Sequence, residues 1–94
     1  MNCYFCDKIL PISSIHPDEY HCDNCNCTII PYVNKSVRMI YLFYKQYYIY
    51  LDFHNRYYAL YNKDSYDRVF LFNSLPNINP KNIESKINTI LAFI

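Results

Sequence analysis

Cys3-Tyr-Phe-Cys6 and, after fifteen intervening residues, Cys22-Asp-Asn-Cys25 dominate the amino-acid sequence. A Cys-x2-Cys pair is short enough for a tight turn to direct both sulfurs at one point. Two such pairs can complete a tetrahedral cage of four sulfurs, and a gap of fifteen residues is typical of zinc sites. The sequence therefore predicts one structural Zn²⁺ held by Cys3, Cys6, Cys22 and Cys25. Four thiolates leave no open position for a substrate, so we do not expect this ion to be catalytic.

The same residues resemble a known family. The pattern CYFC…CDNC is similar to zinc-ribbon modules, which occur in transcription factors, ribosomal proteins and many short bacteriophage proteins. The resemblance covers residues 1–30 and implies a four-cysteine zinc ribbon there. Zinc ribbons usually place Gly after the second Cys of each pair, where φ is positive. This chain has no Gly and places Asp7 and Asn26 there, so we expect these two tolerant residue types to adopt φ > 0.

Three other residues near the cysteine pairs are candidate ligands or hydrogen-bond partners of the sulfurs. Cys27 could replace Cys22 or Cys25, act as a redox-active thiol beside the metal, or be a spare buried thiol, and the last interpretation is favoured. His21 and His16 could each ligate the metal or donate a hydrogen bond to a sulfur. An exposed loop position is the favoured interpretation for His16 and is as good as ligation for His21.

Composition limits the class of protein. Ninety-four residues accommodate one domain, and at this size a metal commonly supplements a thin core. The net charge of +1 argues against a protein that coats phosphates. The start of the chain lacks the features of a signal peptide, and no apolar run is long enough for a membrane span. Without a secretion signal, the five cysteines are better explained as metal ligands in a reducing compartment than as disulfides. We therefore expect an intracellular protein without membrane association, or a virion component.

Residues 31–94 are expected to form an antiparallel sheet followed by one helix. β-branched and aromatic residues alternate densely through residues 38–72, and the short connections between them indicate hairpins. The predicted strands are Arg38–Tyr44, Tyr47–Phe53, Arg56–Tyr61 and Asp67–Phe72. Residues 31–37 are predicted to be a linker or a short edge strand. Asn55 and Asn62 are predicted to supply positive φ in the turns.

The helix has clear start signals. Asn79 suits the N-cap position and Pro80 suits the first helical position. One predicted stripe should pack on the sheet: Ile83, Ile87, Ile90, Leu91 and Ile94. The predicted fold is therefore α+β, with a zinc-ribbon lobe over residues 1–30 and a four-stranded meander plus helix over residues 31–94, joined in one compact unit.

The tyrosines are the remaining functional signal. Aromatic side chains on an open sheet, flanked by cations, suit the stacking of single-stranded bases, and tyrosine is also enriched at protein interfaces. The candidate binding face comprises Tyr41, Tyr44, Tyr48, Tyr50, Tyr57, Arg56 and Lys45.

Residue usage also bears on origin. The twelve Tyr and the lack of Gly fit A/T-rich codons and a bacteriophage or viral accessory protein. No paired carboxylates, nucleophile motif or glycine-rich phosphate loop occurs, so we do not expect an enzyme. The leading hypothesis is a zinc-stabilised module that binds a host or viral protein. The alternatives are a single-stranded nucleic-acid binder that uses the tyrosines, and an oligomeric virion or assembly component.

Overall fold

The structure is a computed structural model that describes residues 1–11 and 18–94. Its elements are β1 (Tyr20–Cys22), β2 (Cys27–Pro31), β3 (Val37–Tyr44), β4 (Tyr47–Asp52), β5 (Tyr57–Asn62), β6 (Arg68–Phe72) and α1 (Ile83–Ala92). The six strands form one antiparallel sheet in which each strand pairs with the next along the chain. The fold is therefore α+β, a meander with one helix in the described part of the chain.

The structure has two more strands than the four that the sequence predicts. β1 and β2 carry the second cysteine pair at their hairpin, and β2 pairs with β3, so this region extends the sheet. β2 joins the sheet because its alternate side chains face the core. Cys27 and Ile29 stand opposite Leu42 and Ile40, and all four are fully buried. The lobe boundary expected at residue 30 consequently falls inside a strand.

The four predicted strands agree with β3 to β6 to within one residue at each end. The linker or edge strand predicted over residues 31–37 is instead a hairpin connection. Pro31 ends β2, Val37 begins β3, and the Tyr32 N–H donates to the Ser36 carbonyl at 2.8 Å. A hairpin turn fits here because the strands on both sides bury side chains in the same layer.

Strand alternation gives the sheet two different faces. On the core face, fully buried aliphatic residues stand opposite one another, as in the pairs Leu42 with Ile49 and Ile49 with Leu60. The opposite surface, termed the aromatic face, carries six partly exposed rings: Tyr41, Phe43, Tyr48, Tyr50, Tyr57 and Tyr61. The core and the rings are therefore separated by a single sheet.

Helix α1 belongs to the core side. Ile83, Ile87 and Ile90 are buried in the same hydrophobic cluster as the core face, and Leu91 packs against that cluster. Four of the five stripe residues thus behave as predicted. Ile94 is 71% exposed, because α1 ends at Ala92 and the chain leaves the stripe there. No helix within the described residues is long and apolar enough to cross a membrane.

The helix begins three residues later than the start signals predict. The Asn79 side chain accepts a hydrogen bond from the Lys81 N–H at 2.9 Å, and the Asn82 side chain accepts one from the Asn79 N–H at 2.8 Å. The bond between the Asn82 side chain and the Asn79 N–H corresponds to one half of a capping box. It closes a turn that precedes the helix, whose N-cap residue is Asn82.

Positive φ in the later turns falls on other residues than predicted. Asn62 instead accepts hydrogen bonds from two backbone N–H groups of its own turn, and Asn55 donates to the Asp52 carboxylate at 2.9 Å. The left-handed positions pass to Arg56 at φ 54° and Tyr66 at φ 60°. The prediction of positive φ at Asn55 and Asn62 was wrong. Their side chains stabilise the turns through hydrogen bonds, and their own backbone does not adopt positive φ.

Candidate metal centre

The four cysteines of the two Cys-x2-Cys pairs meet at one point. Their sulfurs all lie within 4.8 Å of one another. The Cys3 and Cys25 sulfurs are 3.8 Å apart, and the Cys6 and Cys22 sulfurs are 3.7 Å apart. A tetrahedral site with Zn–S bonds of about 2.3 Å places its sulfurs about 3.8 Å apart. The cluster can therefore hold a metal ion, and these two separations fit tetrahedral zinc.

The first pair is shaped by a tight loop. The Asp7 N–H donates to the Cys3 carbonyl at 3.0 Å, and the Cys3 N–H donates to the Lys8 carbonyl at 2.7 Å. Asp7 has φ 63°, as predicted for the position after the second cysteine. The Phe5 N–H lies 3.4 Å from the Cys3 sulfur and donates to it.

The second pair is the turn of the β1–β2 hairpin. Asn26 has φ 52°, which confirms the second prediction of positive φ. Asn26 also fastens the turn to β3: its carbonyl accepts from the Phe43 N–H at 3.0 Å, and its side chain donates to the Phe43 carbonyl at 3.3 Å. These two bonds fasten the turn that carries Cys25 to the sheet.

Hydrogen bonds and burial move the pKa of Cys6 in one direction and those of Cys22 and Cys25 in the other. Hydrogen bonds from the Lys8 backbone and then the Asn24 side chain lower the pKa of Cys6 to about 6. Burial raises the pKa of Cys22 and of Cys25 above the ordinary thiol value. Buried neutral thiols release their protons only when a cation compensates the thiolate charge, so metal binding at this cluster must be coupled to proton release.

Cys27 and His21 lie on different sides of the sheet. Cys27 is fully buried opposite Cys22, but its sulfur is not one of the four that meet. His21 alternates to the aromatic face, where its Nδ1 lies 3.2 Å from the Thr28 hydroxyl and its Nε2 lies 3.3 Å from Asp23. Burial raises the pKa of Cys27, which favours a neutral thiol. His16 lies outside the described residues.

The candidate binding face is divided by the structure. Tyr41, Tyr48, Tyr50 and Tyr57 lie on the aromatic face. Tyr44 pairs with Tyr47 on the other side and packs against the core, and the Lys45 ammonium lies 5.3 Å from its ring centre. Lys45 and Arg56 occupy the turns at opposite ends of β4.

The candidate binding face chosen from the sequence leaves out three members of this surface: Phe43, Tyr61 and Arg68. Phe43 and Tyr61 stand opposite or beside Tyr48, with ring centres 6.0 and 5.2 Å from it. A strict count of alternate positions along each strand would have included both. Arg68 could not be found in this way, because a bulge between Leu60 and Tyr61 shifts the register of β6.

Hydrogen bonds hold three of the six rings on the aromatic face, those of Tyr50, Tyr57 and Tyr61. The Tyr50 hydroxyl donates to the buried Asp52 carboxylate at 3.0 Å, and the Tyr57 and Tyr61 hydroxyls bond to each other. Burial acts to raise the pKa of Asp52, but the bonds that it accepts from Asn55, Tyr50 and the His54 backbone hold it below the usual value. The Tyr61 hydroxyl, and then Arg68, lower the pKa of Tyr57. Half of the rings on this face are therefore held by hydrogen bonds within the protein.

Comparison of the chain with protein-family models, with curated proteins and with solved structures found no match. The resemblance of residues 1–30 to zinc ribbons thus stays a prediction from the cysteine spacing. The function is inferred from two surfaces of this molecule, the four-sulfur cluster and the aromatic face.

Proposed function

We propose that this chain is a zinc-stabilised module that binds a protein partner through the aromatic face. The observation that supports the proposal is the difference between the two faces of the sheet. The four sulfurs and the helix lie on the core side, and six rings remain partly exposed on the other side. Metal and core stabilise the sheet, and the rings are free for recognition.

Zinc is the ion that the donor set favours. Four cysteine sulfurs within 4.8 Å of one another suit a soft or borderline ion, and oxygen-preferring ions such as Mg²⁺ and Ca²⁺ do not bind such sites. Cys3, Cys6, Cys22 and Cys25 would supply all four ligands, and the bound ion would have a structural role. Metal analysis of reduced, freshly purified protein should find about one zinc per chain. Protein that folds fully and contains no metal would contradict this part of the proposal.

The rings of the aromatic face form one connected surface. Tyr41 contacts Tyr50 with ring centres 5.0 Å apart, and Tyr48 stacks on Tyr61 at 5.2 Å. Tyr50 in turn contacts Tyr57 at 5.8 Å. Tyrosine offers a large apolar area and a hydroxyl with few rotatable bonds, so a connected set loses little entropy on binding. Such a surface is well suited to a protein partner.

Charge favours a protein over a nucleic acid. The two cations expected to flank the rings, Lys45 and Arg56, lie at opposite ends of β4 in turns. Arg68 is beside Tyr57 on this surface. Single-strand binders combine stacked aromatics with a positively charged groove that follows the phosphates. Neither the placement of these cations nor the net charge of +1 provides such a groove.

The test compares two single tyrosine substitutions. Tyr48→Ala removes the ring at the centre of the aromatic face, and Tyr66→Ala removes a tyrosine that is 77% exposed in the β5–β6 turn. Each variant is immobilised, and the proteins retained from an infected or host extract are compared with those retained by the parent chain. We expect one dominant protein that binds the parent and Tyr66→Ala and is lost with Tyr48→Ala. Retention that is equal in both variants would refute the use of this face.

The second candidate, single-stranded nucleic-acid binding, has a separate readout. A labelled unstructured oligonucleotide should show no change in anisotropy at moderate salt. Binding that weakens steeply with salt and disappears in Tyr48→Ala would replace the protein partner with a nucleic acid. Viral origin and an intracellular site of action stay predictions of the sequence.

A further inference from the structure

The outer edge of β6 is the second surface of this protein that is suited to a partner. Among the described residues, β6 is the last strand of the sheet and pairs only with β5. Half of its backbone N–H and C=O groups therefore point away from the sheet. An edge of this kind is a template for another strand unless it is short, charged, interrupted by proline or covered.

The composition of β6 does not protect the edge. Its sequence, Arg68-Val-Phe-Leu-Phe72, has one charge at its first position and no proline. Phe70 is 38% exposed and Leu71 is 45% exposed, and they project to opposite faces of the sheet. The other edge differs, because β1 has three residues and exposes His21 beside Asp23. The exposed apolar edge is thus specific to β6.

We propose that β6 pairs with β6 of a second copy of this chain in a two-fold antiparallel dimer, which joins the two sheets into one. The strand is complementary to itself in this arrangement. With Leu71 on the two-fold axis, Phe70 stands opposite the partner's Phe72 on the core side. Arg68 lies outside the paired residues in this register, because β6 ends at Phe72, so the two arginines are kept apart. A parallel pairing would place the two arginines side by side, which is unfavourable.

The geometry of the pair has a consequence for the aromatic face. In an antiparallel pair the two-fold axis is perpendicular to the sheet, so both copies present the same face on the same side. Tyr57, Tyr61 and Arg68 lie on the two strands next to this edge. The dimer would therefore bring two aromatic faces together in one surface. The dimer itself does not depend on the proposed function, because its contacts come from the β6 edge.

Sedimentation equilibrium from low to high micromolar concentration tests the dimer. A five-residue edge buries less than the roughly 1,600 Å² of a standard interface, so we expect reversible association within that range. Phe70→Lys and Leu71→Lys place charge on the edge and should weaken association by about fivefold or more. Phe93→Lys makes the same change of side chain as the first variant at a residue that is 84% exposed beyond α1, and it should leave association unchanged.

A measurement on the unaltered chain separates a failed variant from a failed proposal. Isotope-filtered NOEs in a mixture of labelled and unlabelled chains should connect β6 of one copy with β6 of the other. Tyr48→Ala, which tests the proposed function, should leave the dimer intact. A monomer at every concentration would overturn the proposal. A dimer without contacts between the β6 strands, or one that Tyr48→Ala abolishes and Phe70→Lys does not, would overturn it equally.

Discussion

Cys22 and Cys27 offer a matched pair of substitutions for the metal centre. The two residues stand directly opposite each other on β1 and β2, and both are fully buried. Replacing either with Ala removes one sulfur from the same layer of the molecule. Only Cys22 belongs to the four-sulfur cluster. The difference between Cys22→Ala and Cys27→Ala therefore isolates ligation from packing.

The expected effects differ greatly in size. Loss of one buried sulfur costs about 1–2 kcal/mol in lost burial and residual cavity, and this cost applies to both variants. A structural zinc site contributes an apparent free energy of about 10–16 kcal/mol, whereas a whole domain is stable by only about 5–15 kcal/mol. Cys27→Ala should thus stay folded with a modestly lower unfolding midpoint. Cys22→Ala should lose the metal and, with it, the fold of the cysteine-containing region.

Two measurements decide the comparison. Zinc per chain is determined on reduced protein, and thermal unfolding is followed by circular dichroism for the parent and both variants. We expect zinc near one per chain in the parent and Cys27→Ala and a large loss in Cys22→Ala. Equal zinc content and equal midpoints in the two variants would refute the four-sulfur assignment. Loss of zinc in Cys27→Ala would make Cys27 a ligand.

Three further predictions concern the sheet and helix. Asp52→Asn should destabilise the protein by about 1–3 kcal/mol at neutral pH, since it weakens bonds to a buried acceptor. The pKa of Asp52 in the folded protein lies below 3.8. The parent therefore keeps this advantage in stability above pH 3.8 and loses it as the pH falls through the folded pKa. The free energies of urea unfolding of the two proteins should converge in acid. Ile87→Ala, at a residue 1% exposed in α1, should cost about 2–5 kcal/mol in urea unfolding, and Thr89→Ala on the outer side should cost under about 1 kcal/mol. Lys45→Gly should raise the unfolding midpoint relative to Gln46→Gly, because Lys45 alone of these two turn residues has positive φ, at 51°, and Gly relieves about 1 kcal/mol there.

The cysteine cluster could be predicted because its information is local. The spacing of Cys3, Cys6, Cys22 and Cys25 placed four sulfurs together, and the residue types at 7 and 26 indicated positive φ at both loops. Each of these features depends on two to four neighbouring residues. The boundaries of β3 to β6 were predictable for a similar reason, since hairpin connections of two to five residues leave few alternatives.

The features that could not be predicted depend on contacts between distant residues. β2 pairs with β3 because Cys27 and Ile29 pack opposite Leu42 and Ile40. The length of the connection between them is compatible with either a linker or a hairpin, so it does not predict this pairing. The placement of His21 on the aromatic face follows from that pairing and not from its position beside Cys22. Arg68 reaches the rings only because of a bulge. In each case a shift of one residue in strand register would place the side chain on the opposite face of the sheet.

The proposed metal site and the aromatic face are connected through the order of the strands. β1 and β2 hold two of the four cysteines at their hairpin, and β2 is the strand that covers the edge of β3. Removal of the metal should therefore loosen β1 and β2 first and expose the edge of β3, where Tyr41 lies opposite Thr28. Tyr57 and Tyr61 lie two strands further away on β5 and should be affected least. Chelation followed by amide exchange should show protection lost in that order, from β1 toward β6, and uniform loss across all six strands would mean that the metal stabilises the sheet only as a whole.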